Sequence, residues 1–431
     1  MTIRKAFRYR LRTRPGQEAW LRRIAGCRRW VWNAALAEQQ ARHARGESYA
    51  NYVAMAKWLT AWRAADATAF LREAPVHALQ NALKDLNRAF QRFFGKKGGY
   101  PRFQRRVEHD GFRETDVACF AVDEATARIR LPKLGWLRYR ASRPLEGIPK
   151  QVSVTRDALG WHVSIQTEIE GTVASTATAI GAGDRGITNF LALADGRCIA
   201  PLNAHRTALS GLRRYQRSCA RKVEAQKKAL GITGPIPKGM RLPVSKRLAK
   251  ARTRLADYSA SIACQRADFL HKLSTELADR HAVFCLEDLR VRNMTRSAAG
   301  TSEEPGSNVA RKAALNRSIL DQGWSEFARQ LEYKLAWRAG QLIKVPPAYT
   351  SQRCSSCGHT EAANRGGERF VCRVCGLTEH ADVNAAKNIL AAGHAVLAGS
   401  SGQADVETQA QSGRSRKRQP ASAEEGAACA V

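Results

Sequence analysis

The chain has 431 residues and carries 71 Lys and Arg against 38 Asp and Glu, a formal net charge of +33 with a pI near 10.4. Its 44% hydrophobic content excludes global disorder. No apolar run approaches the about 20 residues of a membrane span, and the N-terminal residues lack the apolar core of a secretion signal. The expectation is an intracellular protein of about two or three domains, in a bacterial or archaeal cytosol or nucleoid, with no membrane association. So large an excess of cations needs a polyanion. Nucleic acid fits better than a lipid surface, because the basic residues are spread along the chain and often stand beside aromatics.

The first segment alternates apolar residues at Ile3, Phe7, Tyr9 and Leu11 until Pro15-Gly16 stops it, the pattern of a strand and turn. From Gln17 to about Phe94 the apolar positions recur at three and four, predicting several amphipathic helices that end at Gly98-Gly99-Tyr100-Pro101. Strands are predicted at Val117–Val122 and Ala127–Arg140, and a hairpin at 151–167. These pieces suggest a small β-barrel over residues 1–172, interrupted by a helical block at about 17–100, with a linker of small residues at Ala174–Ala179.

A second unit opens with short strands around Ile180–Ile187, Phe190–Ala194 and Arg197–Ala200, which read as a three-stranded meander. Basic helices follow at about Ala204–Lys228 and Ser245–Asp279, then an apolar strand His281–Leu286 ending at Glu287. Residues 296–310 read as a flexible loop, 318–339 as a helix and Leu342–Val345 as a strand. Residues 397–431 form a tail rich in Ser, Gln, Gly, Arg and Glu that is expected to be disordered.

Seven of the eleven cysteines stand alone at irregular spacing, as expected of reduced thiols. The other four form two knuckles, Cys354-Ser355-Ser356-Cys357-Gly358 and Cys372-Arg373-Val374-Cys375-Gly376, separated by fourteen residues. Each CxxC turn can present two thiolates to one ion, and four thiolates make a closed, structural Zn²⁺ site. His359 and His380 flank the knuckles and are redundant as ligands. Only six residues separate Cys375 from Asp382, so the ribbon is expected to hold that aspartate in place.

Asp184 lies in the first meander strand between glycines, Glu287 closes an apolar strand, and Asp382 stands at a helix start as its N-cap candidate. A meander, a later strand ending in Glu and a helix carrying Asp match the layout of an RNase H-like nuclease. Such sites hydrolyse phosphodiesters with two divalent metals. Three clustered carboxylates are tolerable only with cations, and Mg²⁺ is the expected hard-oxygen metal, with Mn²⁺ as a substitute.

Together, Asp184-Arg185-Gly186-Ile187, Leu286-Glu287-Asp288-Leu289, the paired knuckles and Asp382-Val383-Asn384-Ala385-Ala386-Lys387-Asn388-Ile389 resemble the TnpB family of transposon-encoded RNA-guided DNA nucleases. Further likeness lies at Arg28-Arg29-Trp30-Val31-Trp32-Asn33, at residues 79–90 with Pro101-Arg102-Phe103, at Arg266–Ser274 and at Pro347–Cys354. The resemblance implies an α/β multidomain fold: a wedge-type β-barrel with an inserted helical recognition lobe, then a RuvC-like domain (178–346 and 377–396) carrying a zinc-ribbon insertion (347–376). It implies Asp184, Glu287 and Asp382 as ligands of two catalytic Mg²⁺, and Cys354, Cys357, Cys372 and Cys375 as ligands of one Zn²⁺. The partners it implies are a guide RNA, a double-stranded DNA target opened as an R-loop, and single-stranded DNA, with a monomer favoured. A compact type V CRISPR effector, a guide-dependent repressor and a strand-joining transposase stay open as alternatives. Gly183 stands where that family has an apolar residue, so a local bulge is expected before Asp184.

Nucleic-acid contacts are expected from Arg28 and Arg29 on the first helix, from Arg102, and from Arg213, Arg217 and Arg221 on a later one. The family pattern also implies that Tyr52, His77 and Gln80 read base edges beside the target. Trp20, Trp30, Trp32, Trp58 and Trp62 can stack on bases, though at helical spacing most belong in a core.

Overall fold

The computed structural model describes residues 2–106, 110–171, 177–237, 240 and 242–401. Strand β1 (Thr2–Arg12) buries Ile3, Phe7, Tyr9 and Leu11 and exposes its arginines, the alternation of a half-buried strand. The helical block follows as α1 (Pro15–Ala44), α2 (Tyr52–Ala64), a 3₁₀ segment Asp66–Glu73, and α3 (Val76–Phe94). Pro15 opens α1, where its missing N–H is not needed, and the Asn51 side chain caps α2 through the Ala54 N–H at 3.1 Å. The chain returns through β2 (Gly111–Glu114), β3 (Ala121–Asp123), β4 (Arg128–Leu131), β5 (Gly135–Tyr139), β6 (Ile148–Asp157) and β7 (Gly160–Glu170).

Where the sequence suggested a barrel, the structure has a seven-stranded sheet, ordered β2-β6-β7-β1-β5-β4-β3. Its edge strands β2 and β3 do not pair with each other among the described residues. Helices α1 and α3 pack on β2 and cover that edge. One core joins this sheet to the helices through Phe7, Leu21, Val31, Leu79, Leu83, Ile129 and Val163. The predicted strand 117–122 is a 3₁₀ turn, Val117–Cys119, followed by β3, and the predicted strand 127–140 is the hairpin of β4 and β5. Of the expected linker Ala174–Ala179, residues 174–176 lie outside the described residues, and 177–179 lead directly into the next strand.

The second body begins with the meander β8 (Ile180–Asp184), β9 (Leu191–Leu193) and β10 (Cys198–Ile199). Helices α4 (Ala204–Thr207), α5 (Leu209–Ala229) and α6 (Lys246–Arg280) lead to β11 (Val283–Glu287). Then come α7 (Val291–Met294), α8 (Val309–Gln322), α9 (Trp324–Trp337) and β12 (Gln341–Val345). The single helix expected at 318–339 is thus two helices, broken at Gly323, whose φ of 72° lies in the left-handed region. The knuckles carry short strands β13 (Arg365–Gly366), β14 (Arg369–Val371) and β15 (Thr378–His380), and α10 (Ala381–Ser401) completes the fold. Residues 397–401, expected in a disordered tail, continue α10, and 402–431 lie outside the described residues.

The five-stranded sheet is ordered β10-β9-β8-β11-β12, antiparallel through the meander and parallel for β8, β11 and β12. Helices cover both faces. Phe284 and Leu286 of β11 join Leu191, Leu273, Phe327 and Leu331 against α6 and α9, whereas Ala182, Cys285 and Ile343 meet Ile389 of α10. Gly393 lets α10 lie against the Cys285 Sγ, where a methyl group would collide.

The bulge expected at Gly183 is absent: Gly183 pairs in regular register with Leu286 on one side and Leu193 on the other. The glycine is needed for another reason, since a Cβ there would lie 2.7 Å from Leu191 Cδ1. Gly183→Val should therefore destabilise the protein by about 1–3 kcal/mol through overpacking, read in urea unfolding. An unchanged midpoint would show that Leu191 moves aside freely.

Candidate active site

Period-2 alternation decides where the strand-end carboxylates point. In β8 Ala182 faces α10 and Gly183 faces Leu191, so Asp184 falls on the α10 side. In β11 Cys285 faces α10 and Leu286 the opposite layer, so Glu287 also falls on the α10 side. Because β8 and β11 are parallel neighbours, with Gly183 opposite Leu286, both acids emerge at the same carboxyl end of the sheet. The third acid is supplied by α10 itself. Asp382 lies in its first turn rather than at the N-cap, and its N–H donates to His380 Nδ1 at 3.2 Å.

The three charges sense one another. Burial, then the Glu287 and Asp382 charges, push the Asp184 carboxyl up to about 7. Burial raises Glu287 as well, opposed by the hydrogen bond it accepts from Thr350 Oγ1 at 2.6 Å. Arg365 Nη2, from the ribbon, lies 2.9 Å from Asp382 Oδ1, and Asn189 Nδ2 donates to Asp382 Oδ2 at 3.4 Å. Arg185 is buried and donates to the backbone carbonyls of Glu287 and Trp324, locking the ends of β8 and β11 to the start of α9. Gly186 leaves room beside the Asn189 carbonyl and Asp382. A buried set of oxygen donors whose charges are mutually unfavourable fits hard divalent cations.

The ribbon fits zinc. Cys354, Cys357, Cys372 and Cys375 place their sulfurs within 4.8 Å of one another, with Cys354–Cys375 and Cys357–Cys372 at 3.6 Å. A tetrahedral ion with Zn–S bonds of about 2.3 Å requires sulfur separations of about 3.8 Å. Gly358 and Gly376 have φ of 78° and 76°, which only glycine adopts without strain and which lets each N–H turn back to the first cysteine carbonyl of its knuckle. The Cys375 backbone N–H also donates to Cys372 Sγ, pulling that thiol down to about 6. His359 pairs with Glu361 and His380 accepts from Asp382, so neither histidine is needed for the ion.

Ribbon and sheet are tied together by residues that sequence reasoning left unassigned. Asn384, fully buried, donates to the Arg353 carbonyl at 2.7 Å and accepts from the Ser355 N–H at 2.9 Å. One turn later Asn388 donates to the Thr350 and Arg353 carbonyls at 2.9 and 2.6 Å. The Asn pair in the 382–389 motif thereby fixes the segment carrying Thr350, which orients Glu287. The two asparagines at helical spacing were the signal that could have revealed this.

The expected nucleic-acid residues divide. Arg28 is held by Asp85 at 3.2 Å and Gln104 at 3.3 Å, and Arg29 by Asp110 at 2.7 Å, all partly buried. These arginines brace α1 within the fold rather than presenting charge to phosphate. Tyr52 packs against the core beneath Lys84, and His77 is engaged by Glu114 at 3.1 Å. Gln80 is half-buried and makes no side-chain hydrogen bond among the described residues. Arg102, Arg213, Arg217 and Arg221 are exposed, the last three forming one stripe along α5 with no carboxylate partner among the described residues. Trp62 packs edge-on against Trp30 and tilted against Trp58, and Trp32 Nε1 donates to the Arg102 carbonyl. Trp20 is the most open of the five, with Arg23 over its ring. Sequence reasoning missed a row across the first sheet in which Arg12 pairs in register with Arg138, and Arg138 with Arg128. Like charges directly opposite destabilise a sheet, so this row favours a polyanion above it.

Two outcomes are expected of this geometry. Without added Mg²⁺, native Asp184 holds its proton up to about 7 whereas the unfolded chain releases it near 3.8, so this group lowers stability as pH rises through that window. Asp184→Asn should therefore melt higher than the parent by a margin that widens from about pH 5 to about pH 7.5, and a margin independent of pH would refute the shift. Cys372→Ser should lose the ribbon's zinc and lower the melting temperature; an unchanged melting curve would show that the ribbon holds itself together without metal.

Comparison with known families places these features in context. Residues 1–48 match a helix-turn-helix domain of the OrfB_IS605 type, residues 162–298 a family described as "Probable transposase" (OrfB_IS605), and residues 324–389 the Cas12f1-like TNB domain. In this structure residues 1–48 form a strand and one 30-residue helix. The chain is 43% identical over 419 residues to the Escherichia coli (strain K12) protein named "Putative RNA-guided DNA endonuclease InsQ", covering 96% of this chain and 97% of that one. It is 34% identical over 423 residues to a Streptomyces pristinaespiralis protein named "Putative RNA-guided DNA endonuclease", covering 97% and 96%. A cryo-EM structure of a Cas12f1–sgRNA–target DNA complex aligns at 14% identity and a TM-score of 0.47, covering 90% of this chain and 99% of that one. With 43% identity sustained over nearly its full length, the chain belongs to the TnpB family, the OrfB proteins of IS605-type elements.

Proposed function

We infer that this protein is a transposon-encoded, RNA-guided DNA endonuclease that hydrolyses target DNA at the Asp184, Glu287 and Asp382 site. The observation that carries the reading is the delivery of all three carboxylates to one end and one face of the five-stranded sheet, two by strand alternation and one by α10. The strand order, three antiparallel strands followed by two parallel ones, supports an RNase H-like, RuvC-type domain interrupted by the zinc ribbon. The seven-stranded sheet with α1–α3 inserted after its first strand would be the wedge and recognition domain.

In this reading Asp184, Glu287 and Asp382 would hold divalent cations, which when bound supply an activated water and stabilise the leaving oxygen. The chain's own groups prepare the site. Thr350 fixes one oxygen of Glu287, Arg185 sets the spacing of the two strand ends, His380 holds the Asp382 backbone N–H, and Asn189 orients the Asp382 carboxylate. Arg365 neutralises Asp382 and presents a planar guanidinium at the rim, suited to a backbone phosphate. Base pairing by a guide would supply specificity, while the arginine stripe on α5 and the arginine row on the first sheet grip backbones.

The test is to express the chain with its flanking DNA, sequence the RNA that co-purifies, and assay cleavage of a matching target in Mg²⁺. Asp184→Ala should reduce cutting on the order of a thousandfold or more while leaving guide and target binding within a few-fold. Residual cutting at the parent rate would place the chemistry elsewhere, and loss of binding would make Asp184 structural.

A further inference from the structure

The N-terminal body contains a second convergence of metal-ligating groups, remote in sequence from the carboxylate triplet and the ribbon. His77 sits in the first turn of α3, Glu114 ends β2, and Asp116 and Cys119 bracket the 3₁₀ turn that follows. One donor atom each from His77, Asp116 and Cys119 lies within 4.8 Å of the others. His77 Nδ1 is 3.6 Å from Cys119 Sγ, 3.8 Å from Asp116 Oδ2 and 3.1 Å from Glu114 Oε1, and Cys119 Sγ is 3.6 Å from Asp116 Oδ2.

The three separations among His77, Asp116 and Cys119 match edges of a ligand tetrahedron, while Glu114 meets the cluster through its contact with His77. Zinc bonds of about 2.0–2.1 Å to nitrogen, 2.3 Å to sulfur and 2.0–2.2 Å to oxygen require ligand separations of about 3.3–3.6 Å. The electrostatics point the same way. In a chain with nearly two cations per acid, Glu114 and Asp116 form their ion pairs with His77 alone among the described residues. The Glu114 side chain is only 1% exposed, and its hydrogen bonds from the Thr115 and Asp116 N–H groups fall on Oε1, as does its His77 contact. Asp116 Oδ1 accepts from the Ala118 N–H at 3.0 Å, which turns Oδ2 toward the histidine and thiol. Two carboxylates, one thiol and one imidazole, with no Lys or Arg paired to the carboxylates among the described residues and with Arg130 sensed by the thiol, leave a negative centre that a dication would neutralise.

We propose that His77, Asp116 and Cys119, with Glu114 buried beside the imidazole, form a second zinc-type structural site that binds a divalent transition cation. The ion pins the N-terminus of α3 to the edge of the seven-stranded sheet. It thereby sets the pose of Gln80, one turn further along the same helix, against the sheet. His77 then acts as an anchor of the helix rather than as a reader of bases. The site is independent of the nuclease reading, because none of its four residues belongs to the carboxylate triplet or the ribbon.

The test is metal content. The full chain, produced with Zn²⁺ and dialysed against metal-free buffer, should retain two zinc ions per molecule by mass spectrometry, one in the ribbon and one here. His77→Ala and Cys119→Ser should each retain one. Asp116→Asn, at a half-exposed position, should also fall toward one and does so without threatening the fold, as a preserved circular-dichroism spectrum would show. Cleavage is not the readout, so failure here leaves the nuclease reading intact. One zinc in the parent chain, or two in folded Asp116→Asn and Cys119→Ser, would overturn the proposal and leave a hydrogen-bonded acid, imidazole and thiol cluster.

Discussion

The second half of the molecule is organised around an unfavourable interaction: three carboxylates crowded at one end of a sheet, in a place dry enough to lift Asp184 to about 7. Like charges so placed repel, and a fold without compensation would relieve the strain by moving them apart. Movement is blocked on every side. Asp184 and Glu287 are fixed on adjacent parallel strands whose ends Arg185 clamps together. Asp382 is fixed because α10 sits tightly on the sheet at Gly393. The close packing at Gly183 and Gly393 is therefore part of the electrostatics, since looser layers would let the charges drift.

The zinc ribbon takes part in the same arrangement. Its knuckles form a small separate core around Cys354, Phe370, Cys372 and Ala381, the last of these already the first residue of α10. Asn384 and Asn388 bind the chain entering the ribbon, and Arg365 reaches back from the ribbon to Asp382. The N-terminal body handles charge differently. There some arginines are absorbed into ion pairs that hold α1 in place, while Arg12, Arg138 and Arg128 stand opposite one another across the sheet with no carboxylate ion-pair partner among the described residues.

Much of the carboxylate site was legible because it depends on short-range periodicity. Alternation in β8 and β11 assigns their acids to a face, and the CxxCG spacing dictates the knuckles. What was not legible depends on pairs distant in sequence. Arg365 and Asp382 are 17 residues apart, Thr350 and Glu287 are 63, and Arg28 and Asp85 are 57. A cluster of arginines on a helix looks the same in sequence whether its charges face solvent or an aspartate on another element, so Arg28 and Arg29 could not be separated from Arg213 and Arg217. The break at Gly323 was hidden by apolar periodicity that runs on through it, and Gly183 could be understood only once Leu191 was seen beside it. The cluster of His77, Glu114, Asp116 and Cys119 was hidden too, because a short 3₁₀ turn disrupts the strand pattern that its second segment otherwise suggests.

Strand β15 ends at His380 and α10 begins at Ala381, with no intervening linker. Two of the three acids ride on the sheet, while the third rides on the joint between ribbon and helix. The ribbon is consequently continuous with the helical turn that carries Asp382. One carboxylate thus owes its place to the integrity of the ribbon, and the other two owe theirs to the pairing of β8 with β11. The triplet is a composite of two separately folded frames that meet at a single peptide bond.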